Sequence, residues 1–285
     1  MPLDLPTPLV PTSWLADHLG DPALRVVDAS WYLPAMGRNG RHEYDAAHIP
    51  GALFGDLEQL ADEHAPYPHT MPKPEVLAAR LGALGIGDGH AVVVYDGSGQ
   101  NFSAPRLWWM LRTMGHAPVA VLDGGLVAWQ REGRPVTTDL PAYEPAHFTP
   151  RFDASRWRDL DAMRATIAAH DEQVVDARST GRFTGTEPEP RAGVRGGHMP
   201  GARNVHYASL VRADGTLKSP EELRDTFAKA GVNLEAPVAA SCGTGITACA
   251  VLLGLDVAGA TRTALYDGSW TEWGRQPDTP VETGP

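Results

Sequence analysis

Hydrophobic positions along the chain fall into short unbroken runs separated by longer stretches of helical period. The unbroken runs Leu24–Asp28, Ala91–Tyr95, residues 119–122 and Val238–Ser241 predict buried strands, with a shorter one at Ala52–Phe54. Helices are predicted over Thr12–Leu19, with Thr12 or Ser13 as N-cap, over Lys73–Leu84, Ser103–Met114 and Leu126–Glu132, and from near Ala248 onward. Residues 31–47 read as polar and irregular, and the tail QPDTPVETGP as loosely held. Strands without polar alternation, alternating with helices, indicate an α/β fold built on a parallel sheet covered by helices on both faces.

The same pattern occurs twice. VVDAS at 26–30 returns as VVDAR at 174–178, AHIPGA at 47–52 as GHMPGA at 197–202, and VLDGGLVAW at 121–129 as LYDGSWTEW at 265–273. The offset varies only slightly, 148 at Asp28/Asp176, 150 at His48/His198 and 144 at Trp129/Trp273, which means two long copies of one domain and excludes a solenoid of short repeats. The proline-rich, aperiodic stretch that starts at Gly133 separates them. The expected division is a first domain over 1–138, a linker over 139–153 and a second domain over 154–285.

The copies differ where ligands sit in such sheets, at the carboxyl ends of strands. VVVYDGSG at 92–99 corresponds in role to VAASCGTG at 238–245, so Asp96 stands where the second copy has Cys242. Cys242 is followed by Gly243, Thr244, Gly245, Ile246 and Thr247 and then by a helix-forming run. A strand, a glycine loop and a helix start aim unpaired backbone N–H groups at one point, and the helix dipole adds positive potential there. A cysteine so placed is favoured as its thiolate, a nucleophile; the bland alternative is a buried thiol acting as a small hydrophobe. The first copy, with Asp96, cannot supply that nucleophile and is left a structural role. Gly243 to Ala248 also fits G-x-G-x-x-A, but too little chain follows Asp267 to complete a dinucleotide-binding half. A phosphatase-type C-x5-R loop would need an arginine where Ala248 stands.

Composition narrows the partners. A net charge of -11 argues against a nucleic-acid surface, and no segment is apolar for long enough to span a bilayer. The two cysteines, Cys242 and Cys249, are about two helical turns apart, too far for a disulfide without rearrangement, so a reducing, cytoplasmic setting is expected. Cys249 lies in the apolar run and reads as core. No leader is visible in MPLDLPTPLV, and the eleven histidines are too scattered for a metal site.

The paired HIPGA and HMPGA turns, the loop opened by Cys242 and the closing DGSW at 267–270 together resemble the tandem-domain sulfurtransferases of the rhodanese superfamily, over nearly the whole chain. That resemblance implies two rhodanese-like domains, the second catalytic, with no cofactor. Sulfur would pass from a small-molecule donor to Cys242 as a persulfide, then to a thiol acceptor such as thioredoxin or a small thiol, or to cyanide. In the family, C-R-K-G-x-T loops go with thiosulfate and C-G-S/T-G-x-T loops with 3-mercaptopyruvate, so CGTGIT implies 3-mercaptopyruvate, with thiosulfate as the alternative donor. By the same resemblance Arg182 and Arg191 bind the donor's carboxylate and carbonyl, Gly243, Gly245, Ile246 and Thr247 line the substrate, and Thr244 contacts the reacting sulfur. Either arginine could instead pair with Glu187 or Glu189. His48 matches a relay histidine of some relatives, with a backbone-bonded turn histidine as the other reading, and Asn39 falls where some relatives carry a relay acid.

Overall fold

The computed structural model describes Leu3, Leu5 and residues 8–285. Met1, Pro2, Asp4, Pro6 and Thr7 lie outside the described residues, and with them part of the N-terminal stretch read above as lacking a leader.

Among the described residues ten strands build two sheets. They are β1 Leu9–Val10, β2 Leu24–Asp28, β3 Leu53–Phe54, β4 Ala91–Tyr95 and β5 Val119–Leu122, then β6 Trp157–Arg158, β7 Gln173–Asp176, β8 Arg203–Asn204, β9 Val238–Ser241 and β10 Thr263–Tyr266. The sheet orders are β1-β5-β4-β2-β3 and β6-β10-β9-β7-β8, every pairing parallel, so the second sheet repeats the first strand for strand. The helices are α1 Thr12–His18, α2 Gly40–Ala46, α3 Leu57–Leu60, α4 Pro74–Ala83, α5 Ala104–Thr113 and α6 Gly125–Arg131, then α7 Leu160–Ala169, α8 Thr180–Thr184, α9 Pro220–Lys229, α10 Ile246–Ala258 and α11 Ser269–Trp273.

Strands β2, β4, β5 and β9 are buried at every residue, as expected when helices cover both faces. The chain leaves β4 and β9 at the middle of each sheet, where the strand order reverses, the usual place for a ligand. The helices that follow, α5 and α10, are buried nearly all round, which makes each a central core element.

Several sequence expectations shift. Residues 31–47 are not irregular throughout: they contain α2, and Asn39 is its N-cap, its side chain accepting from His42 N at 2.9 Å. Helix α1 is capped by Pro11 rather than Thr12 or Ser13, because the Thr12 hydroxyl is drawn to Glu132. Helix α10 begins at Ile246, two residues before Ala248, because Gly245 takes the left-handed cap conformation. The tail is docked: Thr279 is buried and bonded by Arg195, and Glu282 pairs with His198.

By packing, the chain forms two compact units that trade short segments. The first is Met1–Glu63, Met71–Asp153 and Val211–Leu217; the second is His64–Thr70, Ala154–Leu210 and Lys218–Pro285. Residues 139–153 are a strap on the first unit, with Ala146 N on Gly82 O at 2.9 Å and Asp153 N on Thr113 O at 2.8 Å. In the first unit, Asp96 sits at the end of β4 and fills its own loop. Its carboxylate accepts from the backbone N–H groups of Ser98, Ser103 and Ala104, each at 2.9 Å.

Burial, with Asp96 nearby, pushes the Asp28 carboxyl up to about 6 from an ordinary 3.8. The folded chain therefore holds this proton more tightly than the unfolded chain does. Stability from this group is full below about pH 4 and is lost as the pH rises through about 6, on the order of 3 kcal/mol in all. Asp28→Asn keeps the acceptor for Ser30 N and is expected to gain stability relative to the parent between pH 5 and 7. Urea unfolding at both pH values checks this; equal differences at the two would contradict it.

Candidate active site

Cys242 is the first residue beyond β9 and is 2% exposed. Gly245 N–H donates to its Sγ at 3.2 Å. Gly245 has φ 80°, which only glycine adopts without strain, and it turns the chain into the thirteen-residue helix α10. The helix start adds its positive end to the amide, so the position suits an anionic sulfur. Ile246 is buried and Thr247 part-exposed in the first turn. Cys249 donates to Gly245 O at 3.2 Å and is fully buried, the core role expected of it.

Gly243 has a different reason to be glycine. Its φ is not positive, but a Cβ there would stand 3.2 Å from Arg182 Nη2 and 3.9 Å from Nη1. The missing side chain leaves room for the guanidinium beside the cysteine loop.

The DGSW segment braces that loop. Ser269 Oγ accepts from Cys242 N at 3.2 Å and donates to Tyr266 O at 2.8 Å. Trp270 N donates to Cys242 O at 2.9 Å and Thr271 N to Gly243 O at 3.0 Å. The Trp270 ring carries the Arg178 guanidinium at 4.4 Å.

Four charges form a closed set next to it. Arg178 is wholly buried and binds Asp176 through Nε and Nη2, the shortest contact being 2.6 Å, and Glu189 Oε1 through Nη1 at 2.7 Å. Burial works against the Arg178 charge, but Asp176 and then Glu189 outweigh it and hold the group above its ordinary value. Arg182 donates Nη2 to Glu189 Oε2 at 2.6 Å and Nε to Oε1 at 3.2 Å. Arg191 makes no hydrogen bond or ion pair among the described residues, and burial, then Arg182, push it down from its ordinary value, while Cys242 and Glu189 pull it up. A half-buried guanidinium without a partner is a place for a carboxylate.

Thr244, buried in the loop, is bonded to a residue that sequence reasoning missed. His69 Nδ1 lies 2.9 Å from Thr244 Oγ1, and His69 is 5% exposed in the left-handed region, φ 63°. It belongs to the His64–Thr70 segment that packs with the second unit. His48, the other relay candidate, belongs to the first unit and has Nδ1 on Tyr44 O at 2.7 Å and Nε2 on Asp139 O at 3.1 Å, the contacts of a backbone-bonded turn histidine. It stacks on Tyr44 as His198 stacks on Phe183, and each pairs with the segment closing its unit, at Thr137 and Glu282. The repeated histidines are thus turn fasteners. Asn39 is held to its helix cap.

A parallel α/β domain in two copies, with a cysteine loop at the switch point of the second, places the chain among duplicated α/β proteins. Residues 11–132 and 159–276 each match the rhodanese-like domain, and the chain belongs to that family. It is 43% identical over 270 residues to the 3-mercaptopyruvate sulfurtransferase of Homo sapiens, covering 93% of this chain and 91% of the relative. It is 42% identical over 284 residues to the thiosulfate sulfurtransferase of Cricetulus griseus, covering 97% and 95%. Among solved structures it resembles SseA from Escherichia coli, described as a 3-mercaptopyruvate sulfotransferase, with a TM-score of 0.84, 38% identity and coverage of 93% and 99%.

Ser269→Ala would leave Cys242 N–H and Tyr266 C=O without this partner in a buried place. The expected loss is about 1–3 kcal/mol in denaturant unfolding, with a lower kcat; unchanged values would show that the loop does not depend on this brace.

Proposed function

We propose that the chain is a 3-mercaptopyruvate sulfurtransferase working through a persulfide on Cys242. The observation that carries this is the Cys242 sulfur on the Gly245 amide, with Arg182 beside Gly243 and no cation in the loop itself. Relatives of that name cover nearly the whole chain.

The Cys242 thiolate attacks the donor sulfur and forms the S–S bond as the donor's C–S bond breaks. The bonding electrons leave on carbon as the enolate of pyruvate, which takes up a proton and departs as pyruvate. Arg191 pairs with the donor carboxylate, and Arg182 fixes the carboxylate–carbonyl end by its free edge. Thr244 and His69 carry the donor's thiol proton between sulfur and enolate carbon. A thiolate acceptor, thioredoxin or a small thiol, then attacks the outer sulfur, and the Cys242 thiolate leaves: a ping-pong cycle. Gly245, Ile246 and Thr247 complete the cradle around the transferred sulfur.

Thiosulfate is the second reading, favoured by the relative named for it. It is a dianion, and the loop offers it only Gly243 and Thr244. The two free cysteines suit a reducing cytoplasm. Among the described residues no helix is long and apolar enough to cross a membrane.

Pyruvate release from 3-mercaptopyruvate with a thiol acceptor tests the reading. The parent is expected to turn over with parallel-line kinetics and Cys242→Ser to show none; turnover surviving in Cys242→Ser would sink it. His69→Ala is expected to lower kcat by about a hundredfold or more, and a wild-type kcat would remove His69 from the proton path. Replacing Gly243 and Thr244 by Arg and Lys is expected to raise the thiosulfate-to-mercaptopyruvate ratio of kcat/KM; an unchanged ratio would contradict the account of the loop.

A further inference from the structure

The Glu189 side chain is 4% exposed and binds two arginines at once. Its bond to Arg178 looks structural, since Arg178 is also held by Asp176 and by Gly197 O at 2.8 Å. Its bonds to Arg182 are of another kind. They take the Nε–Nη2 side of the guanidinium and leave the Nη1–Nη2 end, which is the end nearest Gly243. A planar fork with one side fixed has its other edge fixed in direction. Arg182 is a long, part-exposed side chain, and without Glu189 it has no other charged partner among the described residues.

We propose that Glu189 is the positioning residue of Arg182, clamping one side of the guanidinium so that the opposite edge faces the donor beside Gly243. The proposal rests on the reading of this site as one for an α-keto carboxylate donor. The positioning costs Arg182 its net charge, which leaves unpaired Arg191 to attract the carboxylate and Arg182 to orient it. The line from Trp270 under Arg178, through Glu189, to Arg182 ties that orientation to the same segment that braces Cys242.

Steady-state kinetics of the full chain test this. Glu189→Gln retains the Arg178–Asp176 pairing and is expected to raise KM for 3-mercaptopyruvate about tenfold, with a much smaller effect on kcat. Glu189→Asp is expected to recover part of the loss. The double variant Arg182→Ala/Glu189→Gln is expected to be no worse than Arg182→Ala alone, because Glu189 acts through Arg182. An unchanged KM, effects that multiply in the double variant, or an equal fall in kcat for every donor with a lower Tm would each overturn the proposal. Calorimetric binding of pyruvate, which needs no turnover, separates the two claims. If the parent released no pyruvate from 3-mercaptopyruvate, the donor reading would fail, yet weaker pyruvate binding in Glu189→Gln would still support the clamp. Equal binding by both proteins, or none by either, would overturn it.

Discussion

The structure depends on one constraint: backbone N–H groups at the end of a central parallel strand converge on a point that must hold an acceptor or an anion. In the second unit that occupant is Cys242 Sγ, on Gly245 N–H. In the first unit it is the Asp96 carboxylate, on three backbone N–H groups. The copies keep the same braces as well. Leu126 N donates to Asp96 O at 3.0 Å just as Trp270 N donates to Cys242 O at 2.9 Å. A fixed carboxylate makes the first loop self-sufficient; the second holds a thiol there, which the proposed function uses as its nucleophile.

Around that point lie four paired charges and one guanidinium without a partner among the described residues. Asp176, Arg178, Glu189 and Arg182 neutralise one another in a buried or part-buried chain of charge-assisted bonds. Such a set stabilises little by itself once desolvation is counted, but it is stiff, and removing one member leaves a buried charge unpaired. Arg191 stands outside it with its charge unmatched, which is the condition for taking up an anionic ligand.

The sheet strands, the duplication and the cysteine loop were legible in the sequence because unbroken apolar runs and a glycine-bounded loop have few other solutions. Arg182 was named from the resemblance, and its guanidinium lies beside Gly243. His69 was not: it comes from a seven-residue segment without periodicity, and its contact with Thr244 spans 175 positions. A signal did exist. The segments 64–70 and 211–217 occupy corresponding places in the repeat, yet HAPYPHT and VRADGTL share almost nothing, just as Cys242 and Asp96 differ. Divergence between otherwise matched copies marks where to look for titratable side chains. His48 is the opposite case: it is repeated as His198, and the backbone-bonded turn reading kept for it matches the contacts both histidines make. Glu189 was named only as a possible partner of the arginines and Ser269 only as part of DGSW, because what they brace is set by spatial neighbours that spacing does not show.

The most direct measurement of the central claim is the intact mass of the reduced protein after brief exposure to 3-mercaptopyruvate, without acceptor, beside Cys242→Ser. The account expects a gain of one sulfur atom in the parent, lost on adding a thiol, and no gain in the variant. A gain that persists in Cys242→Ser, or a parent that takes no sulfur from 3-mercaptopyruvate, would contradict it.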